Sequence, residues 1–402
     1  MILEITKGIA SGRVTAPTSK SAAHRILICA AMCEGESIIR NLPLCEDILA
    51  TIDCLCTLGV KITLDGCDAR VVGTDLTKAK AGGVLECRES GSTLRFLIPI
   101  ALLSGNPVSF SGSEKLLSRP LSVYERLFKE KGITFKKGKN TISLCGRLDA
   151  GEYFIDGNVS SQFISGLLFA LSAINGESKI TVNTEIDSRP YVDMTIYALK
   201  EFGVSVAADT EHSFFVTGGK HTAKDITIEG DWSGAAFLYA LNSIGGSVQI
   251  DGLNNNSIQG DTVCVDYFKK LKNGYCEIDI NDCPDLGPIL FTVAAVNSGA
   301  KFTGTKRLKD KESDRIECMK QELNKFGAEF LVEENSVTVI KRPLHSPIDM
   351  LFGHNDHRIV MSLAVLCTLY GGKITGCEAV KKSYYTFFED IKALGIKFYE
   401  TN

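Results

Sequence analysis

The stretch "DHRIVMSLAVLCTLYGGKITGC", Asp356 to Cys377, opens on polar, ionisable residues, turns apolar, stops at paired glycines and resumes as a β-like run. Five other segments follow the same plan. They are "SAAHRILICAAMCEGESIIRNL" from Ser21, "GSTLRFLIPIALLSGNPVSFSG" from Gly91, "SSQFISGLLFALSAINGESKITV" from Ser160, "DWSGAAFLYALNSIGGSVQIDGL" from Asp231 and "DLGPILFTVAAVNSGAKFTGT" from Asp285. The interval is roughly 70 residues and shorter once, beyond the usual solenoid range. Each opening run is too apolar around its circumference for a surface helix, which predicts a buried one. Gly35, Gly105, Gly176, Gly245, Gly299 and Gly371 stand where a C-terminal stop is expected.

Each unit also holds a second, amphipathic helix with a shared ending: "LCTLGVKI", "FKEKGITF", "LKEFGVSV", "LKNGYCEI", "LNKFGAEF" and "IKALGIKF". An apolar-periodic helix, a glycine and an alternating strand give an α/β (α+β) class. Six copies predict two pseudo-symmetric halves of three. The polar stretch "TGGKHTAKD", Thr217 to Asp225, is the natural seam. A strand at Ile2–Ile5 precedes the first copy and the last copy ends abruptly, so the N-terminal segment is expected to complete the second half. The predicted domains are 16–224, and 1–15 together with 225–402.

The 402 residues suffice for two substantial cores, and a net charge of -4 gives no sign of a nucleic-acid or membrane partner. Any grip on an anion must come from a few focused cations. "MILEITKGIA" does not read as a signal peptide, and no apolar run approaches a membrane span. Fourteen cysteines without C-x-x-C spacing read as reduced thiols, not a zinc site. A cytoplasmic monomer is expected.

Cations recur at predicted helix starts, where the helix dipole disfavours them. Lys20 and Arg25 lie in "PTSKSAAHR", Arg95 follows "ESGST", and Arg119 lies in "SRP". "LKDKESDR", Leu308 to Arg315, brings Lys311, Glu312 and Arg315; "GHNDHR" brings Asp356, His357 and Arg358; Lys382 precedes the last helix. Each motif has a bland reading: serine N-caps, proline at the first helical position, Asp285 of "CPDLGP" as an N-cap, charge runs as solvated turns. Capping does not explain the cations, whose misplacement costs a few tenths to about 1 kcal/mol each when unpaired. An anion bound at the helix ends does. Ser160, Ser161 and Gln162 of "VSSQF" add hydrogen-bonding groups beside a very apolar helix.

The motifs "PTSKSAAHR", "GSTLRF", "SRPL", "VSSQFISGLL", "SRPYVDMT", "PDLGP", "LKDKESDR" and "NDHR" resemble, in order along essentially the whole chain, the 5-enolpyruvylshikimate-3-phosphate synthase family of the shikimate pathway. The resemblance implies two domains, each of three βαβαββ copies, with the active site in the cleft between them. It implies transfer of the enolpyruvyl group of phosphoenolpyruvate to the 5-hydroxyl of shikimate 3-phosphate, releasing phosphate, with no metal or organic cofactor. It assigns Lys20, Ser21, Arg25, Ser160, Ser161, Gln162, Ser188, Asp285 and Lys311 to shikimate 3-phosphate. Lys20, Gly91, Arg119, Gln162, Glu312, Arg315, Arg358 and Lys382 fall to phosphoenolpyruvate. Arg95 is given no direct substrate contact.

Addition of a hydroxyl to the enol double bond, then elimination of phosphate, needs an acid, a base and fixed cations. Asp285 is the expected base; Lys20 and Glu312 handle the proton at the methylene carbon, with His357 assisting. Four positions depart from the family pattern. Glu89 replaces the usual Asn, so it must point away or pair with Arg88. Thr93 and Leu94 differ from the pattern of members sensitive to glyphosate, the family's phosphoenolpyruvate-like inhibitor. Arg307 stands where some members place a substrate-binding Asn, and that role is not carried over. The nearest alternative is the sister enzyme acting on UDP-N-acetylglucosamine, but the loop "SGSEKLLSRP" lacks that enzyme's Cys. A non-catalytic repeat scaffold would not be expected to place cations at its helix mouths.

Overall fold

The computed structural model describes residues 1–79, 83–210 and 212–401. The chain divides into two compact units: Lys20–Ile228, and Met1–Ser19 with Glu229–Asn402.

The unit Lys20–Ile228 contains helices α1 (Lys20–Ala31), α2 (Glu46–Thr57), α3 (Gly91–Ala101), a short α4 (Glu114–Ser118), α5 (Ser122–Glu130), α6 (Ser161–Ser172) and α7 (Arg189–Glu201). One sheet runs Val84–Glu86, Val108–Ser111, Thr141–Cys145, Thr134–Lys137, the first pair parallel and the rest antiparallel. Glu152–Ile155, Gly176–Val182, Ser213–Gly218 and Val206–Thr210 repeat that order. A buried helix makes each parallel crossover, and the amphipathic helix leads into the closing hairpin, as those two pairings require. The third sheet has the same hairpin on Cys33–Arg40. Its parallel partners, His221–Thr222 and Ile226–Thr227, come from the chain's exit. Part of the polar stretch Thr217–Asp225 is therefore strand, and His221 is buried against the Ser172 hydroxyl, 3.0 Å away.

The unit of the two chain ends contains α8 (Trp232–Ser243), α9 (Cys264–Asn273), α10 (Gly287–Val296), α11 (Arg315–Asn324), α12 (His357–Tyr370) and α13 (Phe387–Ala393). The order recurs in Cys276–Asp279, Ala300–Thr303, Ser336–Ile340, Glu329–Val332, and in Leu351–Phe352, Gly372–Thr375, Ile2–Ile5, Phe398–Thr401. In the latter the N-terminal strand takes the third place, antiparallel to both neighbours. The copy around α8 has only the parallel pair Ser11–Thr15 and Ser247–Asp251 among the described residues. The missing hairpin accounts for the one short repeat interval.

Each unit has its own core. All of α6 except Gln162 is buried, as its all-round apolarity predicts. Gly166 lets α3 approach: a Cβ there would meet the Tyr124 hydroxyl and, at 2.6 Å, the Arg95 carbonyl. Each buried Leu, Ile or Phe contributes about 1.5–3 kcal/mol. The stop after α10 has a left-handed Gly299 at φ 72°, where a Cβ would lie 2.6 Å from the Val339 carbonyl. Among the described residues no helix is long and apolar enough to cross a membrane, and no group of three or more His, Cys, Asp or Glu is placed to hold a metal ion.

Candidate active site

In the unit Lys20–Ile228 the predicted residues gather at the starts of α1, α3 and α6 and the loops beside them. Lys20, the first residue of α1, donates to Asp47 Oδ2 at 2.9 Å, both side chains mostly covered. Arg25 lies one turn on and is 3 % exposed. Its Nε donates to Thr195 Oγ1 at 2.9 Å, and its two terminal nitrogens to the carbonyls of Ser21 and Tyr191 at 2.7 and 2.8 Å. Phe96 and Tyr191 rings flank it, and burial lowers its pKa to about 10, so it stays cationic at neutral pH.

Ser160 caps α6 by accepting from the Gln162 amide, and Ser160 and Ser161 are both buried. The Gln162 side chain bridges two groups of the neighbouring repeat: Oε1 accepts from Arg95 at 2.8 Å and Nε2 donates to Ser92 Oγ at 3.0 Å. Arg95 therefore orients Gln162. Beside it the Arg119 guanidinium lies against Gly91, where a Cβ would be 2.9 Å from its terminal nitrogen. Arg119 Nε is buried without a hydrogen-bond partner among the described residues. A buried charged donor left unsatisfied is costly, and an anionic ligand would satisfy it. Ser188 is left-handed at φ 57° and makes no side-chain cap, so the capping reading fails there.

A buried polar chain supports this face. His24 Nδ1 lies 2.8 Å from Thr51 Oγ1, which lies 2.7 Å from Thr93 Oγ1, which donates to Ser90 Oγ at 2.7 Å. Ser90 in turn caps α3. Thr93 thus ties α2 to the Gly91 turn. Arg88 pairs with Glu46 and Asp53.

The other unit builds a denser cluster. Arg315 opens α11 and is 1 % exposed. Its Nε donates to Asp356 Oδ2 at 2.9 Å, one terminal nitrogen to Asp285 Oδ1 at 2.9 Å and the other to Glu312 Oε2 at 2.6 Å. Asp285 also accepts from Lys311 at 3.2 Å and from Arg358 at 2.9 Å. Arg358, near the start of α12, also donates to Ser233 Oγ at 2.7 Å. Asp356 is fully buried, caps α12 and accepts from Ser313 at 3.0 Å. His357 is buried at the first position of α12. Lys382 ends a short 3-10 helix, Cys377–Lys382, and donates to the Asn355 carbonyl at 2.6 Å.

Three cations thus interlock with three carboxylates. Burial opposes the charge on Arg315, but Asp356, Glu312 and Asp285 hold its pKa above that of a free guanidinium. Burial likewise opposes ionisation of Asp356, and Arg315 reverses it, so its pKa is lowered. Burial pulls Lys311 down to about 8, with Arg307 and Arg315 adding to the shift and Asp285 opposing it. Behind Arg358, burial and the nearby Asp285 charge raise buried Asp261 to about 6.

Two readings of the sequence are corrected. Asp285 is not an N-cap: it lies in a tight turn, Pro284–Leu286, before α10, and its carboxylate is taken up by cations. Nor are all the cations at helix starts, for Arg119 follows the short helix α4 and Lys382 ends the helical stretch Cys377–Lys382. Sequence reasoning gave no role to Asp47, Ser233, Asp261 or Ser313, and noted Asp356 only as a helix opening. Asp47 sits in the first turn of α2, where an acid reads as a dipole complement. Nothing in the sequence links it to Lys20.

The profile of the EPSP synthase (3-phosphoshikimate 1-carboxyvinyltransferase) family matches residues 6–391. A 3-phosphoshikimate 1-carboxyvinyltransferase of Clostridium kluyveri is 39 % identical, the match covering 96 % of this chain and 95 % of that one. One of Clostridium beijerinckii is 37 % identical over 100 % of this chain and 99 % of its own. Among solved structures, EPSP synthase from Acinetobacter baumannii superposes with a TM-score of 0.79 at 23 % identity, covering 99 % of this chain and all of that one. The enolpyruvyl transferase NikO from Streptomyces tendae gives 0.76 at 16 % identity, covering 100 % and 98 %. These two likenesses establish the enolpyruvyl transferase fold; the family profile and the close relatives go further, and the chain belongs to the EPSP synthase family.

Proposed function

We propose that this chain transfers the enolpyruvyl group of phosphoenolpyruvate to the 5-hydroxyl of shikimate 3-phosphate, releasing phosphate. Lys20, Ser21, Arg25, Ser160, Ser161, Gln162 and Ser188, with Asp285 and Lys311, take shikimate 3-phosphate. Gly91, Arg119 and Gln162, with Lys20, Glu312, Arg315, Arg358 and Lys382, take phosphoenolpyruvate. Asp285 removes the proton of the attacking hydroxyl. Lys20 and Glu312 manage the proton at the methylene carbon, and His357 assists. Fixed guanidinium groups stabilise charge on the departing phosphate without reorganising.

The observation that carries this reading is Arg119. It is a guanidinium with a buried, unsatisfied Nε, resting on a glycine that leaves room beside Gln162. The proposal is for a monomer of the cytosol working without metal or organic cofactor, its fourteen free thiols suited to a reducing compartment. The test is phosphate release from shikimate 3-phosphate and phosphoenolpyruvate, with Lys20→Met inactive yet folded. Release only with UDP-N-acetylglucosamine as acceptor would reverse the assignment.

A further inference from the structure

Two turns along α11 from Arg315, a second buried carboxylate does not enter the chemistry above. Glu322 has 2 % of its side chain exposed. Its Oε2 accepts from the Phe352 backbone N–H at 2.9 Å and from Lys325 at 2.8 Å; its Oε1 lies 2.9 Å from His354 Nε2. Lys325 also donates to the Met350 carbonyl at 2.8 Å and lies over the Phe352 ring. One carboxylate therefore holds the chain at Phe352 and His354, while Lys325 ties it to Met350, ahead of that segment.

The next two links explain why that segment needs holding. His354 and Asn355 are both left-handed, at φ 49° and 52°. Each such residue costs on the order of 1–3 kcal/mol and persists only where its surroundings over-determine it. This strained pair delivers two groups to the site. The Asn355 carbonyl receives Lys382, and Asp356 receives Arg315 and caps the helix that carries Arg358. Residues seven apart lie on one helix face. Arg315 and Glu322 thus let α11 grip both sides of the turn, Arg315 after it and Glu322 before it.

We propose that Glu322 and His354 form a positioning pair that holds this left-handed turn and so sets Lys382, Asp356 and Arg358 for phosphoenolpyruvate; the substrate half of the proposal rests on the reading above. Every partner of Glu322 offers a hydrogen, so a carboxylate suits the position and an amide does not. Glu322→Gln must turn an NH2 group toward one of three donors. Hydrogen bonds to Cys318 and Glu322 raise His354 to about 9, which keeps the ring a charged donor at neutral pH.

The experiment compares Glu322→Gln, His354→Gly and Lys325→Met. Glycine adopts φ near 50° freely, so His354→Gly removes the grip while relieving the strain. In the full-length protein, amide hydrogen exchange over residues 352–358 should rise at least tenfold in the first two variants and stay unchanged in Lys325→Met. KM for phosphoenolpyruvate should rise on the order of tenfold in those two, KM for shikimate 3-phosphate much less, since misplacing a binding group by about 1 Å is costly. Lys325→Met should lower Tm without moving either KM. Unchanged exchange in both Glu322→Gln and His354→Gly overturns the proposal, as does an equal rise in Lys325→Met. Raised exchange with an unmoved KM for phosphoenolpyruvate overturns the substrate half. Raised exchange in a protein whose wild type releases no phosphate keeps the positioning pair and discards the assignment of the reaction.

Discussion

The two units treat their site arginines in opposite ways. Arg25 is held wholly by neutral groups: two carbonyls, a hydroxyl and two aromatic faces. Arg95 is held by an amide and a carbonyl, and Arg119 carries an unsatisfied nitrogen. In the other unit Lys311, Arg315 and Arg358 are matched by Asp285, Glu312 and Asp356. Neutral partners orient a guanidinium and leave its charge for a ligand. Carboxylates cancel the charge and create a set of groups whose proton affinities depend on one another. The first arrangement suits gripping a phosphate dianion, the second suits moving a proton.

That contrast can be broken most directly through Asp285 and Arg119. Asp285→Ala should cut kcat by about 10²–10⁴, the contribution of a positioned base. Arg119→Ala should act chiefly on KM for phosphoenolpyruvate. Steady-state phosphate release separates the two, and a kcat effect confined to Arg119 would invert the assignment of roles.

Stability should follow the same division. Arg315→Met strands buried carboxylates and should cost about 3–5 kcal/mol. Arg25→Met strands only neutral acceptors and should cost about 1–3 kcal/mol. Trp232, the single tryptophan, lies in α8 and reports unfolding of the first variant's own unit by fluorescence in urea. Circular dichroism follows the second, and equal losses would mean the two environments do not differ.

Gly91→Ala places a methyl 2.9 Å from the end of the Arg119 side chain. That side chain can shift, so stability should hold while KM for phosphoenolpyruvate rises on the order of tenfold, since displacing a binding group by about 1 Å is costly. An unchanged KM would remove Gly91 from the site.

The smallest effects concern pH. Burial holds Lys311 near 8, so kcat/KM should fall as pH rises through that value, and Lys311→Arg should move this limb upward. His354 is raised from 6.5 to about 9. Its contribution to stability is therefore complete below about 6.5 and lost as pH passes through 9. Tm measured across that window should decline more in the wild type than in His354→Gly.

Much of this was legible in the chain itself. The repeat plan, the buried crossover helices and the glycine stops are local patterns, and they appear as the recurring strand order in five of the six copies among the described residues. Arg25, Arg315 and Arg358 stood out because a cation in the first turns of a helix contradicts the helix dipole. The partners that make sense of them were not legible. Asp47 reads as an ordinary first-turn acid, Asp285 as a cap, and Glu322 as one more charge on an amphipathic helix.

The sequence by itself determined the module, its copy number and the positions where cations break local rules, because periodicity and dipole preferences act over a few residues. Only the tertiary structure decided which group each cation meets. Arg315 reaches Asp356 across 41 positions and Arg358 reaches Asp285 across 73. Contacts near 3 Å between such distant residues arise when packed repeats bring helix ends together, and no local pattern encodes that distance.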